Sequence, residues 1–266
     1  MGKKAKGPLC TRETIAQELT ELGVERGETL LVHSSMSSLG WVSGGAEAVV
    51  LGLLDALGDE GTLVVPTFSG HNSDPALWQF VDLPEEWIQP IRDTLPAYNR
   101  HTTRTRKVGT IPETARTWPE AVRSDHPQLS FAAIGPQAQW LMSDHKLDCC
   151  LGNDSPLRKL EEANARVLLL GVDFTACTSF HLAEYRVSNP PLEENSFAAS
   201  IAGERRWKTV QDVALSAQDF DKIGADFESN TPVQTGYVGA AKSRLFSLPK
   251  AVAHAQAWLS INRRTC

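Results

Sequence analysis

The sequence predicts an α/β fold, layered elements around a mostly parallel sheet, and three observations carry that expectation. Two buried-strand patterns, residues 29–33 (TLLVH) and 62–65 (TLVV), flank a helix of apolar periodicity, and a right-handed crossover of that kind sets its two strands parallel. A second alternation of strand and helix patterns follows residue 110 and includes residues 166–170 (RVLLL), the strongest buried-strand signal in the chain. Composition is the third: 41% apolar and 22% charged residues over 266 positions supply a large core.

Residues 11–22 place Ile15, Leu19 and Leu22 at helical spacing, with Thr11 as N-cap, Thr14 three positions on and Gly23 as stop. After the strand at 29–33, Gly44 and Gly45 open a helix whose Val49, Val50, Leu53, Leu54 and Leu57 run to Gly58; the strand at 62–65 is stopped by Pro66. From 67 to 105 the pattern breaks into a stretch rich in Pro, Asp, His and Trp, far longer than the usual connection of about 4 to 6 residues. Its Trp78, Phe80, Trp87 and Tyr98 argue for order. Residues 111–116 then read as helix, 129–134 as strand, 136–143 as helix, 166–170 as strand and 179–185 as helix. Residues 196–201 and 205–210, joined around Ala202-Gly203-Glu204, have the pattern of a β-hairpin. Residues 219–227, 240–246 and 249–261 read as helices, which makes the C-terminal part α-rich. The expectation is a single domain, residues 11–266, behind a disordered basic tail, residues 1–10, that leads into no apolar segment of a signal peptide.

Charge narrows the partners. With 26 Lys+Arg against 32 Asp+Glu the net charge is −6, which disfavours nucleic acid and suits a cationic small molecule. No apolar run approaches the roughly 20 residues of a membrane span, so no membrane partner is expected and the expected location is the cytoplasm. Cys10, Cys149, Cys150, Cys177 and Cys266 show no Cys-x-x-Cys spacing, which indicates neither a disulfide framework nor a structural zinc site.

Four constellations bear on chemistry. The turn His33-Ser34-Ser35-Met36-Ser37-Ser38 directly follows a buried strand, where backbone N–H groups and hydroxyls suit phosphate or pantetheine, or simply cap a turn. In Thr178-Ser179-Phe180-His181-Leu182-Ala183-Glu184, helical spacing puts His181 and Glu184 on one face, as a general base with its orienting carboxylate or as a plain surface pair. His126 before Pro127 marks a strand entrance, where it either meets a ligand or fills a turn. The long stretch gathers Asn72, Asp74, Asp82, Glu85, Glu86 and Asp93 among aromatics, as a polyamine pocket or a solvated face would.

Taken in order and spacing, LLVHSSMSSLG, GTLVVPTFSGHNSDP, RKVGTIPE, RSDHPQLSFAAIGP, VLLLGV and TSFHLAEYR resemble the aminoglycoside N3-acetyltransferases, the antibiotic N-acetyltransferase family, over residues 12–260. The resemblance implies an α/β/α sandwich that passes acetyl from acetyl-CoA, without a metal, to the 3-amino group of a 2-deoxystreptamine aminoglycoside, and so confers antibiotic resistance as a monomer or homodimer. It implies His181 as base, Glu184 as its partner, and Thr178, or Thr209, as donor to the developing oxyanion. It also implies Ser34, Ser35, Met36, Arg106, Gly109, His126 and Ser130 at coenzyme A, and Asn72, Asp74 and Asp212 at the antibiotic. The alternatives are the same chemistry on another amine, such as a nucleotide-like or phosphonate metabolite, a metal-assisted hydrolase using His33, His181 and Glu184, and a protein that only sequesters cationic drugs.

Overall fold

Strands buried along their whole length need cover on both faces, and the computed structural model, which describes residues 7–263, supplies it. β1 (Leu9–Cys10) leads into α1 (Arg12–Leu22), where Thr14 N–H donates to Thr11 Oγ1 at 3.3 Å and Thr11 N–H returns a bond to Thr14 Oγ1 at 2.8 Å. Gly23, at φ 107°, closes that helix in the left-handed region that favours glycine. β2 (Thr29–Ser34), β3 (Trp41–Val42), α2 (Gly45–Leu57) and β4 (Thr62–Pro66) contain the expected βαβ unit, with β2 and β4 parallel. α3 (Glu85–Thr94), α4 (Thr110–Arg116), β5 (Val122–Arg123), β6 (Phe131–Ile134), α5 (Ala138–Met142) and α6 (Pro156–Glu162) lead to β7 (Arg166–Leu170) and α7 (Ser179–Glu184). The hairpin β8 (Leu192–Ile201) and β9 (Glu204–Val213) forms its own small sheet; α8 (Phe220–Asn230), β10 (Gln234–Val238), β11 (Ala241–Ser247) and α9 (Leu248–Asn262) follow.

The large sheet has the order β10-β11-β7-β2-β4-β6-β5. Its centre, β7-β2-β4, pairs in parallel and its flanks pair antiparallel, so β2, β4, β5, β7 and β10 run one way and β6 and β11 run against them. The period of two then sorts side chains into two cores. Leu30, Val32, Leu63, Val65, Leu168 and Leu170 pack with α1, α2 and α4; Leu31, Val64, Val167 and Leu169 pack with α5 to α9. The result is the layered α/β/α arrangement, and it places His33, two residues beyond Leu31, on the side of α7.

Three expectations change. Residues 240–246 form strand β11, not a helix: Ala241, Ser243 and Leu245 alternate into the interior, and five residues pair antiparallel with β7. Together with β10, which carries no strong sequence pattern, this makes the C-terminal part mixed rather than α-rich. The expected tail does not run to residue 10. Residues 1–6 lie outside the described residues, but Leu9 and Cys10 pair in parallel with Trp41 and Val42, and the Cys10 side chain is buried.

Of the aromatics expected to order the long stretch, Phe80 and Trp87 are 47% and 55% exposed, while Tyr98 is buried with its hydroxyl donating to Ser124 O at 2.7 Å and its ring under Arg123. Arg123 adds further ties. Its side chain donates from Nε to Thr67 Oγ1 and Ser130 Oγ, from Nη1 to Arg100 O and Thr103 O, and from Nη2 to Thr67 O. Burial without a carboxylate partner pushes its guanidinium down to about 10. Asn72 adds a second pin, its amide exchanging two 3.1 Å bonds with the backbone of Ala198 in β8.

His126 and His145 stack at 4.8 Å behind this stretch. Burial pushes His126 down to about 4 and His145 well below the ordinary value of 6.5. Above 6.5 both rings are neutral in either state; as pH falls the unfolded chain takes protons that the folded one refuses, so stability is lost between 6.5 and about 4. The urea midpoint at pH 5 should therefore lie below that at pH 7.5, by an equivalent of about 1 to 2 kcal/mol per histidine. A midpoint constant over this interval would contradict the buried pair.

Candidate active site

The carboxyl ends of β2 and β7 lie side by side, Ser34 against Leu170, so the loops leaving both strands meet. Ser35 N–H donates to Leu170 O at 2.9 Å and Ser38 Oγ–H to Gly171 O at 3.0 Å. Gly171 has φ 69°, and a side chain there would begin 2.6 Å from Ser38 Cβ, so the close approach of the two loops requires glycine. A cavity of about 310 Å³ opens at these ends, walled by His33, Ser34, Phe68, Lys107, Thr178 and His181 among others.

α7 delivers the reactive pair. His181 Nδ1 lies 2.5 Å from Glu184 Oε2, as the three-residue spacing predicts, while Phe220 packs its ring 4.6 Å from the imidazole. Glu184 is only 3% exposed, and its other oxygen, Oε1, accepts from Ser216 N–H at 3.1 Å and from Arg263 Nη1. With Nδ1 engaged, Nε2 is the nitrogen that His181 offers to the cavity it lines. Across the cavity His33 is held down to about 3, first by burial and then by the charge of His181, so it is a neutral ring at pH 7. Its Nε2 lies 3.2 Å from Thr178 Oγ1. When that nitrogen carries the proton, the threonine hydroxyl keeps its own for a ligand.

Of the residues expected from sequence, Ser34, Thr178 and His181 line this cavity, and Glu184 backs it. Ser34 Oγ is buried without a hydrogen-bond partner among the described residues. Ser35 Oγ lies 2.9 Å from Ser38 Oγ, and Met36 starts the short helical turn Met36–Ser38. Arg106 is exposed, with its guanidinium 4.5 Å above the ring of Phe80; Gly109, at φ 90°, starts α4 close to Ser34 O.

The others have structural posts. His126 Nδ1 accepts from Gln128 N–H and Leu129 N–H, its Nε2 faces Leu147 O at 3.3 Å, and it is 1% exposed. Ser130, fully buried, donates to Thr67 O and accepts from Arg123. The residues expected at the antibiotic are engaged within the protein as well. Asn72 is consumed by Ala198, Asp74 is bridged twice by Arg92 at 2.8 and 2.9 Å, and buried Asp212 accepts from Cys150 N–H, Tyr185 O–H and Val213 N–H. Thr209 belongs to the exposed face of β9, bonded to Ser196 at 2.8 Å. Among the described residues no three His, Cys, Asp or Glu side chains converge as a metal site.

Sequence reasoning did not single out Lys107 and Arg263, and it gave His33 a side-chain role only in the hydrolase alternative, naming it otherwise just as the first residue of the turn. Alternation along β2 carries the signal for His33; Lys107 adopts φ 63° in its loop, and Arg263 reaches Glu184 from 79 residues away with no local signature.

Among known proteins, the model of the family described as aminoglycoside 3-N-acetyltransferase matches residues 31–260. The chain is 42% identical to the SPbeta prophage-derived aminoglycoside N(3')-acetyltransferase-like protein YokD of Bacillus subtilis (strain 168), over 95% of this chain and 93% of that one. The crystal structure of YokD superposes with a TM-score of 0.95 at 41% identity, covering 97% and 96% of the two chains. Identity to aminoglycoside N(3)-acetyltransferase VII of Streptomyces paromomycinus is 37%, over 97% and 93%. The structure of AAC-IIIb as a binary complex with CoASH superposes with a TM-score of 0.84 at 27% identity, over 95% and 97%.

Asp212→Ala should act on stability, because it strands two buried N–H groups and a tyrosine hydroxyl. The expected loss is about 2 to 4 kcal/mol in urea unfolding. A variant of wild-type stability with a selectively raised amine KM would return Asp212 to the substrate pocket.

Proposed function

The chain belongs to the aminoglycoside 3-N-acetyltransferase family, and from that premise we propose that it transfers acetyl from acetyl-CoA to the 3-amino group of a 2-deoxystreptamine aminoglycoside, with His181 as general base held by Glu184. It is a transferase, an aminoglycoside 3-N-acetyltransferase, and its place among such proteins supports a role in antibiotic resistance. The observation that carries the mechanism is the 2.5 Å contact between His181 Nδ1 and Glu184 at the wall of the cavity beyond β2 and β7.

The residues present suit coenzyme A. The partnerless hydroxyl of Ser34 and the serines of the Met36–Ser38 turn offer hydrogen bonds, and Arg106 and Lys107 bring two cations, neither in an ion pair among the described residues, to the loop beside them. Coenzyme A in the AAC-IIIb complex supports the same co-substrate here. Bound at this cavity, acetyl-CoA supplies the acetyl group as an activated thioester.

An ammonium has no lone pair, so the acceptor amine has to give up a proton before or while it attacks. His181 takes that proton at Nε2, and Glu184 stabilises the imidazolium that results; the carbonyl C–N bond forms as the thioester C–S bond breaks, and the imidazolium returns its proton to the departing thiolate. Thr178 Oγ1 is the hydroxyl on the same cavity wall, placed to donate to negative charge that develops on the carbonyl oxygen. His33, neutral and fixed, orients that hydroxyl.

His181→Ala is expected to lower turnover about 100-fold or more while coenzyme A binding and folding persist, the usual worth of a general base. Glu184→Gln should do milder damage of the same kind. Near-normal turnover of His181→Ala at saturating substrates would contradict the assignment. Ser34→Leu should raise the KM for acetyl-CoA far more than that for the amine, and equal effects on both would argue against the cofactor role of the turn.

A further inference from the structure

We propose that Arg263 is a positioning residue for the transfer, acting on the reaction through the carboxylate of Glu184. The inference rests on the reading of His181 and Glu184 as base and orienter, and deepens it.

Its guanidinium ties three elements together. Nη1 donates to Glu184 Oε1 on α7, Nη2 to Ser216 O in the segment between β9 and α8 at 2.7 Å, and Nε to the Oδ2 of Asp219, which caps α8, at 3.1 Å. Ser216 N–H completes the ring of contacts by donating to the same Glu184 oxygen at 3.1 Å. The two oxygens of Glu184 are thereby divided: Oε1 belongs to Arg263 and Ser216, and only Oε2 faces His181.

That division matters for a base. A carboxylate that is 3% exposed cannot be left to the imidazole alone, because a buried anion needs compensation in every state of the cycle, including the one in which the ring is neutral. Arg263 supplies a permanent positive partner that does not take part in proton transfer, and together with Ser216 N–H it anchors Oε1 while its own plane is held by Ser216 O and Asp219. A carboxylate free to rotate would present its oxygens to His181 at varying angles and let the ring turn Nε2 away from the cavity. Arg263 does not line the cavity, and its side-chain hydrogen bonds among the described residues go to Glu184, Ser216 and Asp219, so its influence on chemistry passes through Glu184.

A double-mutant cycle on kcat separates positioning from general support. Arg263→Met should lower kcat about 10- to 100-fold with little change in either KM, and Arg263→Lys, which retains a cation, should recover part of that loss. In a Glu184→Gln background, Arg263→Met should add almost nothing, because the group through which it acts has gone. Multiplicative losses in the double variant would overturn the proposal, as would wild-type kcat in a folded Arg263→Met. If Arg263→Met does not fold, Arg263→Gln, which keeps amide donors for Ser216 O and Glu184, serves the same cycle. Failure of the underlying reading shows itself separately, as undiminished kcat in His181→Ala and Glu184→Gln alone.

Discussion

A negative charge in the interior governs the architecture around the site. Glu184 is withdrawn from water, and a carboxylate there is tolerated only with partners on both oxygens. Those partners come from a helix turn, a connecting backbone and the far end of the chain: His181, Ser216 N–H and Arg263. Three parts of the chain distant in sequence, α7, the segment between β9 and α8, and Arg263 just beyond α9, are therefore bound to one point. The consequence for chemistry is an imidazole whose inner nitrogen is fixed and whose outer nitrogen faces a cavity.

The sheet determines where that point lies. Strand alternation alone carries His33 to the α7 side of β2, and the parallel centre aligns the carboxyl ends of β2 and β7 so that their loops touch. The flanks extend the sheet on both sides, and the turn into β11 joins the same end, its Ala240 N–H donating to Leu39 O and Lys242 O accepting from Gly171 N–H. The long stretch between β4 and α4 reaches the same cavity through Phe68 and Lys107, and a buried, carboxylate-free arginine, Arg123, holds it in place.

The central strands, the βαβ unit, the hairpin and the His181–Glu184 pair are legible because each is written in local periodicity or short spacing, whereas α3, inside the long stretch, and α6 are not. Neither is β11. Its Ala241, Leu245 and Phe246 fit a helical spacing as well as a strand one, and pairing with β7 decided between them. The polar residues are a different case. Asp74, Asp212 and Asn72 are residue types a cationic ligand attracts, and each also holds a partner within the protein, Arg92, Tyr185 or Ala198, that sequence proximity does not reveal. Arg263 shows the converse: an unremarked residue near the chain's end becomes part of the site only through tertiary contact.

The central claim is that the cavity beyond β2 and β7 joins an acetyl thioester to an amine at one defined position. The most direct measurement is thiol release from acetyl-CoA on addition of a 2-deoxystreptamine aminoglycoside, with the product's acetylated nitrogen assigned by NMR. Stoichiometric thiol release with acetyl on the 3-amino group alone is the predicted result. No release with any such aminoglycoside, or acetyl on another nitrogen, would contradict it.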